Sequence, residues 1–251
     1  DMGECPLSAT PIDHVFLTHA HGDHARCIMR HNSLRKMMGV ERDSVYYIPE
    51  SIYEGAKAWI KAEAMFEGVN ESKFRYPELE PVKAGTRTPL RYRKDLVIEP
   101  FEVRHSVPAM GATIYLHKKK LLDEFLGKSA QEIIELRQKG VEITREVYDP
   151  QLSFMGDCMG ESLLDHPEVF KSKVLVTECT FLDKDEEQMA HKKGHTHLKS
   201  IVHALKELGS EVKCEQIVLT HFSMKYSERH ITETIANEIP EEFLEKVVAF
   251  I

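Results

Sequence analysis

Short apolar runs, each ended by a polar or Gly/Pro cluster, recur along the whole chain. Runs at 12–18, 45–48, 90–93, 96–104 and 112–116 are rich in branched and aromatic residues and predict strands in the first half. Helices are expected at 25–37 and at 51–66. In the latter, Ile52, Ala56, Trp59, Ile60 and Ala64 recur at helical spacing before Gly68. In the second half, 152–155, 174–177, 217–220 and 247–251 predict strands, with helices at 198–208 and 228–237. Leu198, Ile201, Val202, Leu205 and Leu208 form one apolar stripe, the mark of a core-facing helix. Strands in both halves with helices among them predict an α/β fold of two sheets packed face to face and covered by helices.

Segment 118–147 interrupts this pattern. Lys118, Lys119 and Lys120 lead into Leu121, Leu122, Phe125 and Leu126, whose spacing suits a short amphipathic helix. Ser129 and Glu132 make a capping box for a second helix through Gln138, with Gly140 as its stop. The segment reads either as a helical crossover with a solvated lysine face or as an arm that contacts substrate.

Hydrophobic content of 42% and charged content of 29% are ordinary for a globular chain. No apolar run is long enough to span a bilayer, and no secretory signal is present, so a soluble interior protein is the default. The five cysteines lack a Cys-x-x-Cys pair, which argues against a disulfide framework and for a reducing compartment. Cytosol is the default location; a leader missing before Asp1 would carry a nuclear or organellar address instead. A net charge of −8 does not advertise nucleic-acid binding, so a polyanionic partner would have to meet a local basic patch.

Chemistry concentrates in His19-Ala20-His21-Gly22-Asp23-His24, directly after the apolar run Val15-Phe16-Leu17. Side chains two apart in extended backbone share a face, so His19 and His21 can hold one metal. Asp23 and His24 lie past the turn and can serve a second. Imidazole and carboxylate suit zinc, with manganese or iron also acceptable. His105, Asp157, Glu178 and His221 each follow an apolar strand, in the loops where a rigid sheet places reactive groups. Taken singly, each is explained as a cap or a turn residue. Together they complete the ligand set. The simplest allocation gives one metal His19, His21 and His105 and the other Asp23, His24 and His221, with Asp157 bridging.

This arrangement resembles the metallo-β-lactamase superfamily. Within it, Glu178-Cys179-Thr180-Phe181, Gly194-His195-Thr196-His197 and Leu219-Thr220-His221-Phe222-Ser223-Met224-Lys225-Tyr226 resemble the short-form tRNase Z (ribonuclease Z) family, most like its plant-type members. The resemblance covers essentially the whole chain. It implies one domain over 1–251, an αββα sandwich of two mixed β-sheets flanked by helices and lacking its first N-terminal strands, with 118–147 as a helical substrate-binding arm or insertion. It also implies a two-zinc endoribonuclease that removes the 3′ trailer from precursor tRNA. Catalysis would fall to Asp23 and to His195 paired with Glu178; the residues alone leave His197 as an alternative proton donor and His195 as a helix-start residue with no chemical role. Lys118, Lys119, Lys120, Lys128 and Arg137 would grip the tRNA, and Ser223 and Lys225 would contact substrate. The grip of homodimeric relatives is made across the dimer, so a homodimer is expected. Cys158, Ala112 and Lys225 depart from the usual residues without removing a ligand. Two rival readings are a hydrolase of a small ester, thioester or phosphodiester, and a catalytically silent RNA-binding member of the fold.

Overall fold

A computed structural model describes residues 1–68 and 74–251. In chain order it comprises β1 (His14–Phe16), α1 (Gly22–Ala25), α2 (Ile28–Met37), β2 (Val45–Pro49), α3 (Glu50–Phe66), β3 (Glu78–Val82), β4 (Thr88–Leu90), β5 (Arg93–Val103) and β6 (Ala109–Leu121). There follow α4 (Ala130–Gln138), β7 (Thr144–Met155), α5 (Ser162–Asp165), β8 (Val174–Glu178), α6 (Glu187–Lys193), α7 (Leu198–Leu208), β9 (Gln216–Thr220), α8 (Glu228–Glu238), α9 (Glu241–Leu244) and β10 (Val247–Ala249).

The strands form two sheets, ordered β1-β2-β3 and β10-β9-β8-β7-β6-β5-β4. Val45, Tyr47 and Val82 of the smaller sheet meet Leu90, Ile98 and Ala112 of the larger in one buried cluster. The far face of the smaller sheet buries Val15, Tyr46 and Ile48 with Ile28 of α2. The far face of the larger sheet buries Met155, Leu175, Ile217 and Leu219 under Leu198, Ile201 and Leu205 of α7 and Ile231 and Ile235 of α8. The layers are therefore helix, sheet, sheet, helix. Two sheets flanked by helices are as expected; among the described residues the larger sheet is mixed. Both pairings of the smaller sheet are parallel, because each connection between its strands carries a helix and returns the chain in the same direction.

The arm also differs from its expectation. Lys118, Lys119 and Lys120 lie in β6, paired with Val147, Glu146 and Arg145 of β7, so the stem of the arm is a β-ribbon and not a helix. Cross-strand pairs such as Lys119 with Glu146, 3.0 Å apart, outweigh the local helical spacing. Helix α4 caps the ribbon, and its Ser129–Glu132 capping box is present in both directions. Strand β3 is absent from the sequence reading. Its polar Glu78-Leu79-Glu80-Pro81-Val82 run has no strand signal and depends on pairing with β2.

Candidate metal centre

Strands β5, β7, β8 and β9 run in one direction and end at the same edge of the larger sheet. His105 follows β5, Asp157 follows β7, Glu178 closes β8 and His221 directly follows β9. His19 and His21 from the loop after β1, and Asp23 and His24 from α1, reach the same place, and in that loop Met110 N donates to Thr18 O at 3.0 Å and ties the two sheets. Donor atoms of His19, His21, His105 and Asp157 all lie within 4.8 Å of one another, as do those of Asp23, His24 and His221. Asp157 joins the groups: its Oδ2 is 4.0 Å from His19 Nε2 and 3.3 Å from His24 Nε2, and its Oδ1 is 3.5 Å from His221 Nε2.

The rings of His19, His24, His105 and His221 are fixed from behind. His105 Nδ1 donates to Gly194 O at 2.8 Å, and His24 Nδ1 donates to Asp1 Oδ2 at 2.9 Å. Thr18 Oγ1 donates to the Asp1 carboxylate and so accepts from His19 Nδ1, 2.9 Å away. Thr180 repeats this on the other side of the centre. Its hydroxyl donates to Glu178 Oε2 at 2.5 Å and accepts from His221 Nδ1 at 2.9 Å. Such outer partners set the tautomer that leaves a lone pair facing a metal. With their Nδ1 atoms donating outward, His19 and His105 turn their Nε2 atoms toward His21 Nδ1, at 2.9 and 3.3 Å.

His24 Nε2 is buried with no hydrogen-bond partner among the described residues. A buried, unpaired imidazole nitrogen inside an all-imidazole and carboxylate donor set fits a divalent cation. Burial first, and the neighbouring His24 second, push the His19 imidazole down to about 3, so it is neutral and ready to ligate at neutral pH. Burial works to raise the Asp157 carboxyl, but the rings of His24, His221 and His195 outweigh it and hold the group below the usual carboxylate range.

His195 stands beside this set. Its Nδ1 donates to Glu178 Oε1 at 2.9 Å and lies 3.9 Å from Asp157 Oδ2. Glu178 is 1% exposed and also accepts from Cys158 N and Thr180 N. Burial would lower the His195 pKa, but the bond to Glu178 and its charge outweigh burial and raise it above the ordinary imidazole value. His197 is committed elsewhere, accepting from Lys199 N at the start of α7 and donating through Nε2 to Asp183 O.

The model of the Beta-lactamase superfamily domain matches residues 3–222. The tRNase Z TRZ1 of Arabidopsis thaliana is 31% identical over 242 residues, which cover 94% of this chain and 81% of the relative. The chain belongs to the tRNase Z family. The chloroplastic tRNase Z TRZ2 of the same plant is 32% identical over 94% of this chain, which spans 64% of that relative's length. A crystal structure of the short form of human tRNase Z is similar in fold, with a TM-score of 0.58 at 17% identity, covering 96% of this chain and 77% of that one.

In this tRNase Z family member the remaining candidates are spread out. Lys118 and Lys119 pair with Asp149 and Glu146 on the ribbon, and Lys128 lies 3.8 Å from Glu132 near its tip. Lys120 and Arg137 are exposed on the same arm. From Glu146 to Met155 the ribbon strand rises roughly 30 Å, so these cations are remote from their own chain's centre. Ser223 donates its backbone N–H to Thr180 O, and the Lys225 amine sits on Glu186, 3.5 Å from Asp183. The sequence reading missed Asp1, Thr18 and Thr180 as supports. A hydroxyl next to His19 and another two residues after Glu178 were the available signals.

Proposed function

We propose that this chain is a zinc-dependent endoribonuclease that removes the 3′ trailer of precursor tRNA. His19, His21 and His105 would hold one ion and Asp23, His24 and His221 the other, with Asp157 shared. Two bound divalent ions supply a water ionised near neutral pH and neutralise charge on the scissile phosphate. The chain's own residues supply the rest. Asp23, exposed at the mouth of the site, orients the attacking water. His195 holds its Nδ1 proton on Glu178, which fixes the ring and favours the imidazolium, and presents Nε2 to the departing 3′ oxygen. Proton delivery at Nε2 leaves a 3′-hydroxyl on the tRNA and a 5′-phosphate on the trailer. The observation that carries this reading is the His195–Glu178 pair set against the metal-binding donors, in a chain most of whose length aligns with plant tRNase Z.

RNA would be read through phosphates and 2′-hydroxyls. Because Lys118, Lys119, Lys120, Lys128 and Arg137 are remote from their own centre, a homodimer in which each arm holds tRNA for the partner's site is the arrangement proposed. The test is a precursor tRNA transcript with a 3′ trailer, incubated with the zinc-loaded chain and mapped at nucleotide resolution. A single cut after the discriminator nucleotide, leaving a 3′-hydroxyl, is expected. Hydrolysis of small esters or diesters with no cut in the transcript would overturn the substrate assignment.

A further inference from the structure

His221 has a φ of 61°, in the left-handed region where a Cβ crowds the backbone. A ligand held in that conformation needs the surrounding chain to hold it there. The loop after β9 is braced against the loop after β8. Cys179 N donates to Thr220 O at 2.8 Å and Ser223 N to Thr180 O at 3.0 Å, on either side of His221. Farther along, the Tyr226 hydroxyl accepts from Leu182 N at 2.9 Å and donates to Glu186 Oε2. The Lys225 amine lies on Glu186 Oε1 and 4.6 Å over the Tyr226 ring. His230 Nε2 donates to Asp183 Oδ1 at 2.8 Å and closes the brace from α8. Glu186, the common acceptor, is 8% exposed.

We propose that Tyr226 and Lys225 are positioning residues for His221, locking its loop to the loop after Glu178, and that Lys225 is not a phosphate contact. The proposal rests on the reading of His221 as a metal ligand. Replacing the Tyr226 hydroxyl unties the backbone N–H groups of Leu182 and Asp183 and one carboxylate, and the strained His221 backbone relaxes away from Asp157. The ion position built on Asp23, His24 and His221 is weakened, while His19, His21 and His105 keep theirs.

The experiment is a zinc titration of the metal-free full chain by calorimetry, on wild type, Tyr226→Phe, Lys225→Gln and His221→Ala. Wild type is expected to bind two ions. Tyr226→Phe is expected to lose about tenfold or more in affinity for one of them, as outer-partner changes do, and to resemble a weaker form of His221→Ala. Melting of the metal-free variant, followed by circular dichroism, separates a general loss of fold from a local one. Two unchanged binding steps in Tyr226→Phe, with or without a lower melting temperature, would overturn the proposal. Absence of zinc binding in wild type would instead overturn the metal reading beneath it. Lys225→Gln supplies an independent check, since the salt dependence of precursor-tRNA binding should match wild type. A slope reduced by about one phosphate contact would make Lys225 an RNA contact and reject the brace.

Discussion

Strand β7 runs from Arg145 and Glu146, exposed on the arm, to Met155 and then Asp157, both buried at the candidate metal centre. Near the centre, side chains are committed twice over. Asp157 faces four histidines, and Glu178 accepts from two side chains and two backbone groups. On the arm the charged groups make ion pairs in solvent, such as Lys118 with Asp149. Surface pairs of this kind contribute little to stability and are exchanged readily for another anion. One strand thus links a rigid region suited to chemistry with an exposed region suited to holding a polyanion. Changes at the two ends should separate turnover from affinity.

The largest effect is expected from His195→Ala. Turnover on precursor tRNA should fall about 10²- to 10⁴-fold, the range of a lost general acid, while zinc content stays at the wild-type level. Metal loss in that variant would collapse the distinction between donor and ligand. Packing behind the centre is next. Leu175→Ala, at a fully buried position of β8, should cost about 2–5 kcal/mol in denaturant unfolding. Converting Lys118, Lys119 and Lys120 together to Gln should flatten the salt dependence of tRNA binding by up to about two to three units of log–log slope, with cleavage of a small diester unchanged. An unchanged slope would remove the arm from RNA binding.

A smaller effect concerns pH. In the metal-free chain, the His195 pKa should lie above that of a free imidazole by NMR, and Glu178→Gln should lower it, because burial is then opposed by the more distant Asp157 without the Glu178 charge and hydrogen bond. A raised folded-state value means that protonated His195 stabilises the fold fully below about pH 6.5 and that this contribution is lost as pH rises through the folded-state value. A His195 midpoint indifferent to Glu178→Gln would break the pair. Smallest of all, Ser129→Ala should destabilise α4 by about 1 kcal/mol, seen as faster amide exchange confined to the arm.

The convergence of the candidate donors was legible because most of them follow a short apolar strand, so local pattern and chemistry coincide. His19 to His24, His105, Asp157 and His221 needed only the strands to converge, which the α/β alternation anticipates. Contacts made through long-range pairing were not legible. Leu121 to Leu126 after the lysines have a helical spacing, yet pairing with β7 carries β6 through Leu121, and Glu78–Val82 becomes a strand only beside β2. Asp1 acquires its place from Thr18 and His24, which no spacing rule links to it. Lys225 reads as an exposed cation until Glu186 is brought beneath it. His195 and His197 look equivalent two residues apart, and only the cap at α7 and the carboxylate of Glu178 tell them apart.

The central claim is that Asp157 unites two groups of donors into one two-metal centre. Zinc content after equilibrium dialysis of wild type and Asp157→Ala tests it most directly. The account predicts two ions per wild-type chain and fewer than one in the variant. Two ions retained by Asp157→Ala would contradict it.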